Sequence, residues 1–202
     1  LPFSSIGKSF AENNICEMGY AVSKIYARSI IEEFSIRFDE NIHCLEDLLF
    51  MYQYLLHCDY LVLNHMQNYV YVKHPFSLSH RIHSFESEYC CFVKYQQLLA
   101  EMMKVWKIPV GDMVVTVNSM LVPFRRALKS DYQPDRTIPR EMRVKHLKRM
   151  ISESRDVFLK YYHPVFKTDK LGKVLLGFNC YILYDFYIRL LFRLNIGPVF
   201  YG

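Results

Sequence analysis

The stretch that decides how this chain is interpreted is FDENIHCLEDLLFMYQYL, residues 38–55. Its second half repeats apolar residues at helical spacing, which predicts a helix that starts near the acidic pair Glu46–Asp47. Acidic residues are common in the first turn of a helix because they interact favourably with its free N–H groups and its dipole. A carboxylate fixed at a helix start is also well suited to act as a general base. The pair therefore has two interpretations, a helix start or a catalytic group.

The composition is that of a globular chain with a substantial core. Of the 202 residues, 51% are hydrophobic and 16% are aromatic, and the 7 glycines and 8 prolines are too few for a disordered or turn-rich all-β chain. A formal net charge of +5 permits an anionic partner without requiring nucleic acid, and we expect no nucleic-acid partner. The 6 cysteines are scattered without a CxxC spacing, which favours reduced thiols and a cytoplasmic location.

Up to about residue 80 the chain mixes short helical and strand patterns. The segment ARSIIEEF (27–34) has helical spacing, whereas DYLVLNHM (59–66) and NYVYVKH (68–74) are rich in β-branched and aromatic residues. In the last of these segments tyrosine and valine alternate with a period of two, as they do in a strand. Residues 1–80 are therefore predicted to form an α/β (α+β) portion that contains part of a sheet.

Beyond residue 80 the pattern becomes helical. Apolar residues keep a three- and four-residue rhythm from Ser84 to Trp106, and further helices are predicted after Thr137 and from Lys170 to Leu194. Residues 81–202 are therefore predicted to form a mostly helical bundle that follows the α/β portion.

The helix predicted after Thr137 is strongly basic. We interpret its cations as a solvated face, and contact with anionic lipid headgroups or with a phosphate-bearing acceptor is the alternative. The aromatic residues of this region lie on the apolar stripe and not between the charges, which disfavours nucleic acid. The cations are Arg140, Arg143, Lys145, Lys148 and Arg149.

Residues 174–192, VLLGFNCYILYDFYIRLLF, form an apolar stretch nearly as long as a membrane span. Asn179, Asp185 and Arg189 interrupt it, and each would be costly in the interior of a bilayer. Asp185 and Arg189 are four residues apart, so they are expected to pair on one helix face. A buried helix of the bundle is the first interpretation, and an interfacial membrane helix is the second.

Five short motifs between Gly19 and His80 follow one another in a distinctive order. This region resembles the second half of the catalytic domain of bacterial family-2 glycosyltransferases, which carries K-L-Y-R, F-D-E and E-D-x-x-F stretches. A hydrophobic strand and an aromatic strand that ends near S-x-S follow in that family. The matching residues are Lys24 and Tyr26; Phe38, Asp39 and Glu40; Glu46, Asp47 and Phe50; Tyr69 and Tyr71; and Ser77 and Ser79.

The resemblance implies a GT-A fold, an α/β sandwich that binds a nucleotide-sugar, and transfer with inversion at the anomeric carbon. It also implies that Asp47 is the general base that deprotonates the acceptor hydroxyl, with Glu46 as a neighbour that orients the acceptor or tunes Asp47. The family's aromatic strand usually continues with an arginine, and here the nearest basic groups lie slightly further on. The candidate substrate-binding residues are Lys24, Tyr71, Lys73 and His74.

The resemblance further implies a divalent metal, Mg²⁺ or Mn²⁺, in the complete enzyme, together with a glycan, polysaccharide or lipid-linked acceptor. The family's Asp-x-Asp metal motif occurs nowhere in this sequence. His80 and His83 with Cys90 or Cys91 fit no standard zinc spacing, so no metal ligand is assigned in this chain. We expect the chain to be the C-terminal part of a longer transferase that lacks the nucleotide-binding half and is inactive alone.

The first ten residues have no signal-peptide pattern, so we expect a cytoplasmic protein, with peripheral contact at the inner face of the membrane as an option. Unpaired strand edges would favour a homo-oligomer. The rival interpretation is a non-catalytic helical interaction module that docks on a partner protein or on a membrane surface, as the basic helix and the aromatic last helix suggest.

Overall fold

The computed structural model describes residues 15, 21–64, 66, 69–70, 72, 81–107, 121–133, 137–161, 164, 167–194 and 196. The chain divides into two compact units, Leu1–Met120 and Leu121–Gly202. The boundary expected near residue 80 lies inside the first of these units. The helices of the described residues, numbered in chain order, are α1 (Arg28–Glu33), α2 (Glu46–Leu55), α3 (Phe85–Trp106), α4 (Leu121–Asp131), α5 (Arg140–Tyr161), α6 (Lys167–Gly177) and α7 (Tyr181–Arg193).

The predicted α/β fold class, with part of a GT-A sheet, is wrong for the residues that the structure describes. Within residues 59–64 only Tyr60 forms an isolated bridge, and residues 69, 70 and 72 have no regular structure. Val62 and Val70 are exposed and not packed in a core. Strands are stable only beside neighbouring strands, and none lies in the described ranges, so β-branched residues alone do not produce a sheet here. The described part of the chain is helical.

In the first unit, α2 and α3 pack against each other. The start of α3 follows Ser84, whose side chain accepts a hydrogen bond from the Ser87 N–H at 3.4 Å, a capping contact. The hydroxyl groups of Tyr52 and Tyr95 form a buried hydrogen bond of 3.1 Å between the two helices. These contacts hold α2, and the acidic pair at its start, against the longer helix.

A smaller apolar cluster holds α1 and the segment before it against α2. The hydroxyl of Tyr54 accepts a hydrogen bond from the N–H of Ala27 at 2.7 Å, directly before α1 begins. Apolar residues from both helices surround this contact. The buried members are Ile36, Phe50, Tyr54 and Cys58, with Tyr26, Ile30 and Ile31 packed against them.

In the second unit, α5, α6 and α7 pack against one another. Gly172 permits the close approach of α6 and α7, because a Cβ atom at this position would lie 3.1 Å from the ring of Tyr184. The apolar residues buried in this unit form its core. They are Phe124, Ala127, Leu128, Tyr132, Leu147, Met150, Ile151, Leu176, Tyr184, Ile188 and Leu191.

The single helix predicted over 170–194 is two helices in the structure. The first ends at Gly177 and the second begins at Tyr181, and Asn179 between them has a left-handed φ of 59°. Arg155 fixes the break, because its guanidinium donates to the Gly177 carbonyl at 2.6 Å and to the Asn179 side chain at 2.5 Å. The apolar periodicity runs through the break, so the sequence pattern did not reveal it. No helix in the described ranges has the length and apolarity needed to cross a membrane.

Asp185 lies in a buried network, and its ion-pair partner is Arg143 of α5 and not the expected Arg189. Arg143 donates to the two carboxylate oxygens at 2.6 and 2.9 Å, and the Tyr132 hydroxyl donates to one of them at 2.9 Å. Burial raises the pKa of Asp185, but these hydrogen bonds outweigh burial and hold the pKa below its ordinary value. The expected place of Arg143 on a solvated face is therefore wrong, whereas the other four cations of that set are exposed.

Candidate functional site

The acidic pair Glu46–Asp47 occupies the first turn of α2, which confirms the helix start expected from the sequence. The preceding residue, Leu45, has a left-handed backbone with φ of 65° and makes no side-chain capping hydrogen bond. The free N–H groups of the first turn and the helix dipole therefore favour negative charge at this point. Both acidic residues are partly exposed, so a ligand can reach them from solvent.

The carboxylate of Asp47 joins the start of α2 to the segment that precedes α1. Its Oδ2 accepts a hydrogen bond from the Ala21 N–H at 3.2 Å, and its Oδ1 accepts one from the Leu48 N–H at 2.9 Å. Ala21 and Asp47 are 26 residues apart, so the first of these is a tertiary contact. A helix-start role accounts for the contact with Leu48 but not for the contact with Ala21.

Lys24 lies close enough to Asp47 for their charges to interact. Burial lowers the pKa of Lys24 and the negative charge of Asp47 partly opposes this, so the net pKa is below its ordinary value. A half-buried ammonium is screened less by water and salt than an exposed one, and it therefore attracts an anionic ligand more strongly. The structure thus brings the predicted base together with one of the predicted substrate-binding residues.

Tyr26 belongs to the same neighbourhood, although the sequence did not assign it to the site. Its ring packs edge-on against Phe50 and Tyr54, with ring centroids 5.4 and 4.8 Å apart. Its hydroxyl is buried and has no hydrogen-bond partner in the described part of the chain. Burial, and then the charge of Asp47, raises the pKa of Tyr26 to about 12, so the hydroxyl is a neutral donor at physiological pH. The sequence signal that could have assigned Tyr26 to the site is its place two residues after Lys24, in the K-x-Y spacing.

The F-D-E motif connects the loop before α2 to α2 and α3. Phe38 stacks on Phe50 with ring centroids 4.5 Å apart, and Asp39 forms an ion pair of 3.0 Å with Lys94 of α3. The N–H of Asn41 also donates to Asp39, at 3.1 Å. These contacts give the motif a structural role in positioning the start of α2.

Glu46 is partly exposed next to Asp47, whereas Tyr71, Lys73 and His74 lie outside the described residues, so their part in substrate binding stays a prediction. Within the described ranges no group of three or more His, Cys, Asp and Glu side chains could hold a metal ion. The divalent metal that the resemblance implies for the complete enzyme therefore stays a prediction.

Comparison of the chain with protein-family models, with curated proteins and with solved structures finds no match. The described residues are helical. In their candidate site the carboxylate of Asp47, at the start of a helix, accepts a hydrogen bond from the distant Ala21 N–H and lies near the half-buried Lys24.

Proposed function

We propose that this chain carries the acceptor side and the general base of an inverting, nucleotide-sugar-dependent glycosyltransferase. The observation that supports this proposal best is the hydrogen bond from Ala21 to Asp47, with Lys24 close by. The resemblance assigns Asp47 and Lys24 to one site, and the two residues lie close together although they are distant along the chain. The proposal rests on these side chains and not on a GT-A sheet.

In the proposed reaction Asp47 removes the proton from an acceptor hydroxyl. The acceptor oxygen forms a bond to the anomeric carbon while the bond from that carbon to the phosphate oxygen breaks, and the electron pair leaves with the nucleoside diphosphate. Attack from the face opposite the leaving group inverts the anomeric centre. The proton then passes from Asp47 to solvent, which reaches the partly exposed carboxylate.

The geometry of Asp47 suits a general base. Each of its carboxylate oxygens accepts one backbone hydrogen bond, from Ala21 or from Leu48. A carboxylate oxygen has two lone pairs, so each retains one for an acceptor hydroxyl. The two backbone donors fix the direction of the carboxylate, which places the base before the substrate arrives.

Lys24 and Glu46 have complementary roles in this proposal. Lys24 binds an anionic phosphate oxygen of the donor, since its ammonium is partly buried next to Asp47. Glu46 is partly exposed and accepts a hydrogen bond from a second hydroxyl of the acceptor, which orients the attacking oxygen. The acceptor is a glycan, a polysaccharide or a lipid-linked sugar.

The test is a transfer assay with the full-length protein and a panel of uridine, guanosine and thymidine diphosphate sugars. We expect release of nucleoside diphosphate when glycan or lipid-linked acceptors are present. Proton NMR of the product should show the anomeric configuration opposite to that of the donor. Retention of configuration, or no turnover with any donor, would contradict the proposal.

A non-catalytic helical interaction module that binds a partner protein is the second candidate, and the helical character of the described residues favours it. The two candidates differ in donor binding measured by calorimetry. The transferase proposal expects donor binding that weakens in Lys24→Gln, whereas an interaction module binds no donor in either form.

A further inference from the structure

One side of α7 presents large apolar side chains to solvent. Ile182, Leu183, Phe186 and Leu190 are exposed and share one side of the helix, at the spacing of three to four residues that brings side chains together. The other side is buried in the second unit through Tyr184, Asp185, Ile188 and Leu191. We call the exposed set, together with Phe178 just before the helix, the α7 outer face.

Cations surround this apolar face. A depression of about 690 Å³ is lined by apolar side chains of the α7 outer face, by three cations and by one acidic residue. They are Ile182, Leu183 and Phe186; Arg140 and Lys148 of α5 and Arg189 of α7; and Asp185. Arg193 follows in the last turn of α7. The only acidic residue of α7 is Asp185, and it is buried and paired with Arg143. The exposed side of α7 therefore combines apolar and positive groups, and the one carboxylate that lines the depression is neutralised by Arg143.

We propose that the α7 outer face lies on an anionic lipid bilayer, with α7 parallel to the surface. Phe178, Ile182 and Phe186 enter the boundary between headgroups and acyl chains, while Arg140, Lys148 and Arg189 contact lipid phosphates. This proposal concerns the second unit and does not depend on the transferase proposal, which concerns residues of the first unit.

A bilayer fits this surface better than a second copy of the chain or a free phosphate. An exposed apolar helix face bordered by cations is the pattern of interfacial helices, whose apolar side chains enter the bilayer and whose cations attract anionic headgroups. A second copy would bring the same cations together and repel. A free phosphate would pair with the cations, but it would not cover the apolar side chains. Phe178 and Phe186, which are 77% and 65% exposed, would remain in water.

The first test is co-sedimentation of the full-length protein with vesicles of phosphatidylcholine mixed with phosphatidylglycerol. We expect the parent to bind. The double variant Phe178→Ser/Phe186→Ser should bind at least roughly tenfold more weakly, because two apolar anchors are lost. The matched control Tyr60→Ser/Val62→Ser removes two side chains that are 69% and 73% exposed in the first unit, and it should bind like the parent. Absence of parent binding, or equal binding by both double variants, overturns the proposal.

The second test separates the cations from the apolar residues. Lys148→Gln/Arg189→Gln should weaken binding to the mixed vesicles by about fivefold for each cation removed, and should change binding to pure phosphatidylcholine vesicles little. Lys104→Gln/Lys107→Gln removes the same charge from exposed positions at the end of α3 and serves as the control. If both pairs weaken binding equally, net charge and not the α7 outer face is responsible, and the proposal fails.

The third test locates the face by fluorescence. A Phe186→Trp variant should be quenched by brominated lipid when vesicles are added, whereas Val62→Trp should not, and both carry the same background from Trp106, the only native tryptophan. Equal quenching of the two variants contradicts insertion of α7.

Sedimentation equilibrium without vesicles tests the competing occupant, a second copy of the chain. A parent dimer that Phe178→Ser/Phe186→Ser converts to monomers, without vesicle binding, would assign the face to a second copy and overturn the proposal.

Discussion

The hydroxyl of Tyr26 is buried near Asp47 and has no hydrogen-bond partner in the described residues, while the neighbouring hydroxyl of Tyr54 accepts one from Ala27. An unsatisfied buried polar group costs about 1–3 kcal/mol, so a structure tolerates it only when something else favours the residue. For Tyr26 the favourable contribution is the edge-on packing of its ring against Phe50 and Tyr54.

Two matched variants test this at the scale of the residue. Tyr26→Phe should raise the free energy of unfolding or leave it unchanged, because it removes a hydroxyl that has no described partner. Tyr54→Phe should lower the free energy of unfolding by about 1 kcal/mol, because it removes the acceptor of the Ala27 N–H. Urea unfolding followed by circular dichroism measures both. Equal destabilisation by the two variants would show that the Tyr26 hydroxyl is satisfied in the protein.

Asp39 supplies a pH-dependent contribution to stability. The hydrogen bond from Lys94, and then that from the Asn41 N–H, outweigh burial and hold the pKa of Asp39 below its ordinary value. The folded pKa is the lower one, so the stabilisation is present above the unfolded pKa of about 3.9 and is lost as pH falls through the folded pKa.

The variant Lys94→Met should raise the pKa of Asp39 toward its ordinary value and reduce the loss of stability in acid. Carboxyl-detected NMR titration measures the pKa directly. Lys104→Met, an exposed lysine of the same helix, should leave it unchanged. An Asp39 pKa that is the same in Lys94→Met as in the parent would contradict the ion pair.

At the scale of the element, the second unit depends on the ion pair between Arg143 of α5 and Asp185 of α7. Arg143→Met leaves a buried carboxylate without its cation, so the free energy of unfolding should fall by about 3–5 kcal/mol. Lys148→Met, at an exposed position of the same helix, should change it by less than about 0.5 kcal/mol.

The double variant Arg143→Met/Asp185→Leu provides the control for this interpretation. It removes both charges, so it should recover much of the stability that Arg143→Met loses. Urea unfolding measures all three variants. A loss below about 1 kcal/mol in Arg143→Met would mean that solvent reaches Asp185 and that the network is not a core feature.

The elements show which sequence signals were reliable. Helical periodicity predicted α1, α2 and α3 because an apolar stripe on a helix needs only one packing neighbour. The strand prediction failed for the described residues 59–64, 69, 70 and 72, because a strand needs hydrogen-bonded neighbours that the local sequence does not reveal. Helical periodicity missed the break at Asn179, which depends on a left-handed residue and on Arg155, a tertiary partner.

The sequence predicted only part of the candidate site. The position of Asp47 at a helix start follows from periodicity, and its proposed role came from the resemblance of short motifs. The contact with Ala21 and the buried hydroxyl of Tyr26 depend on tertiary packing, so no local pattern could reveal them. Burial of Arg143 was missed for the same reason, because a cation in a basic helix gives no sign of a carboxylate on a later helix.

At the scale of the whole molecule, the two proposals concern different compact units. The candidate site of Asp47 lies in Leu1–Met120, and the α7 outer face lies in Leu121–Gly202. The proposals can therefore be separated experimentally. Asp47→Asn should leave vesicle binding unchanged, and a change in vesicle binding caused by that variant would show that the two functions are not separate.

The most direct measurement of the central claim is the rate of sugar transfer by Asp47→Asn in the full-length protein, beside its dissociation constant for the donor. We expect the rate to fall by about 10²–10⁴-fold, because general-base catalysis is lost, while donor binding stays close to that of the parent. Asp59→Asn, an exposed carboxylate just after α2, should keep the parent rate. Transfer by Asp47→Asn at the parent rate would show that Asp47 is not the base.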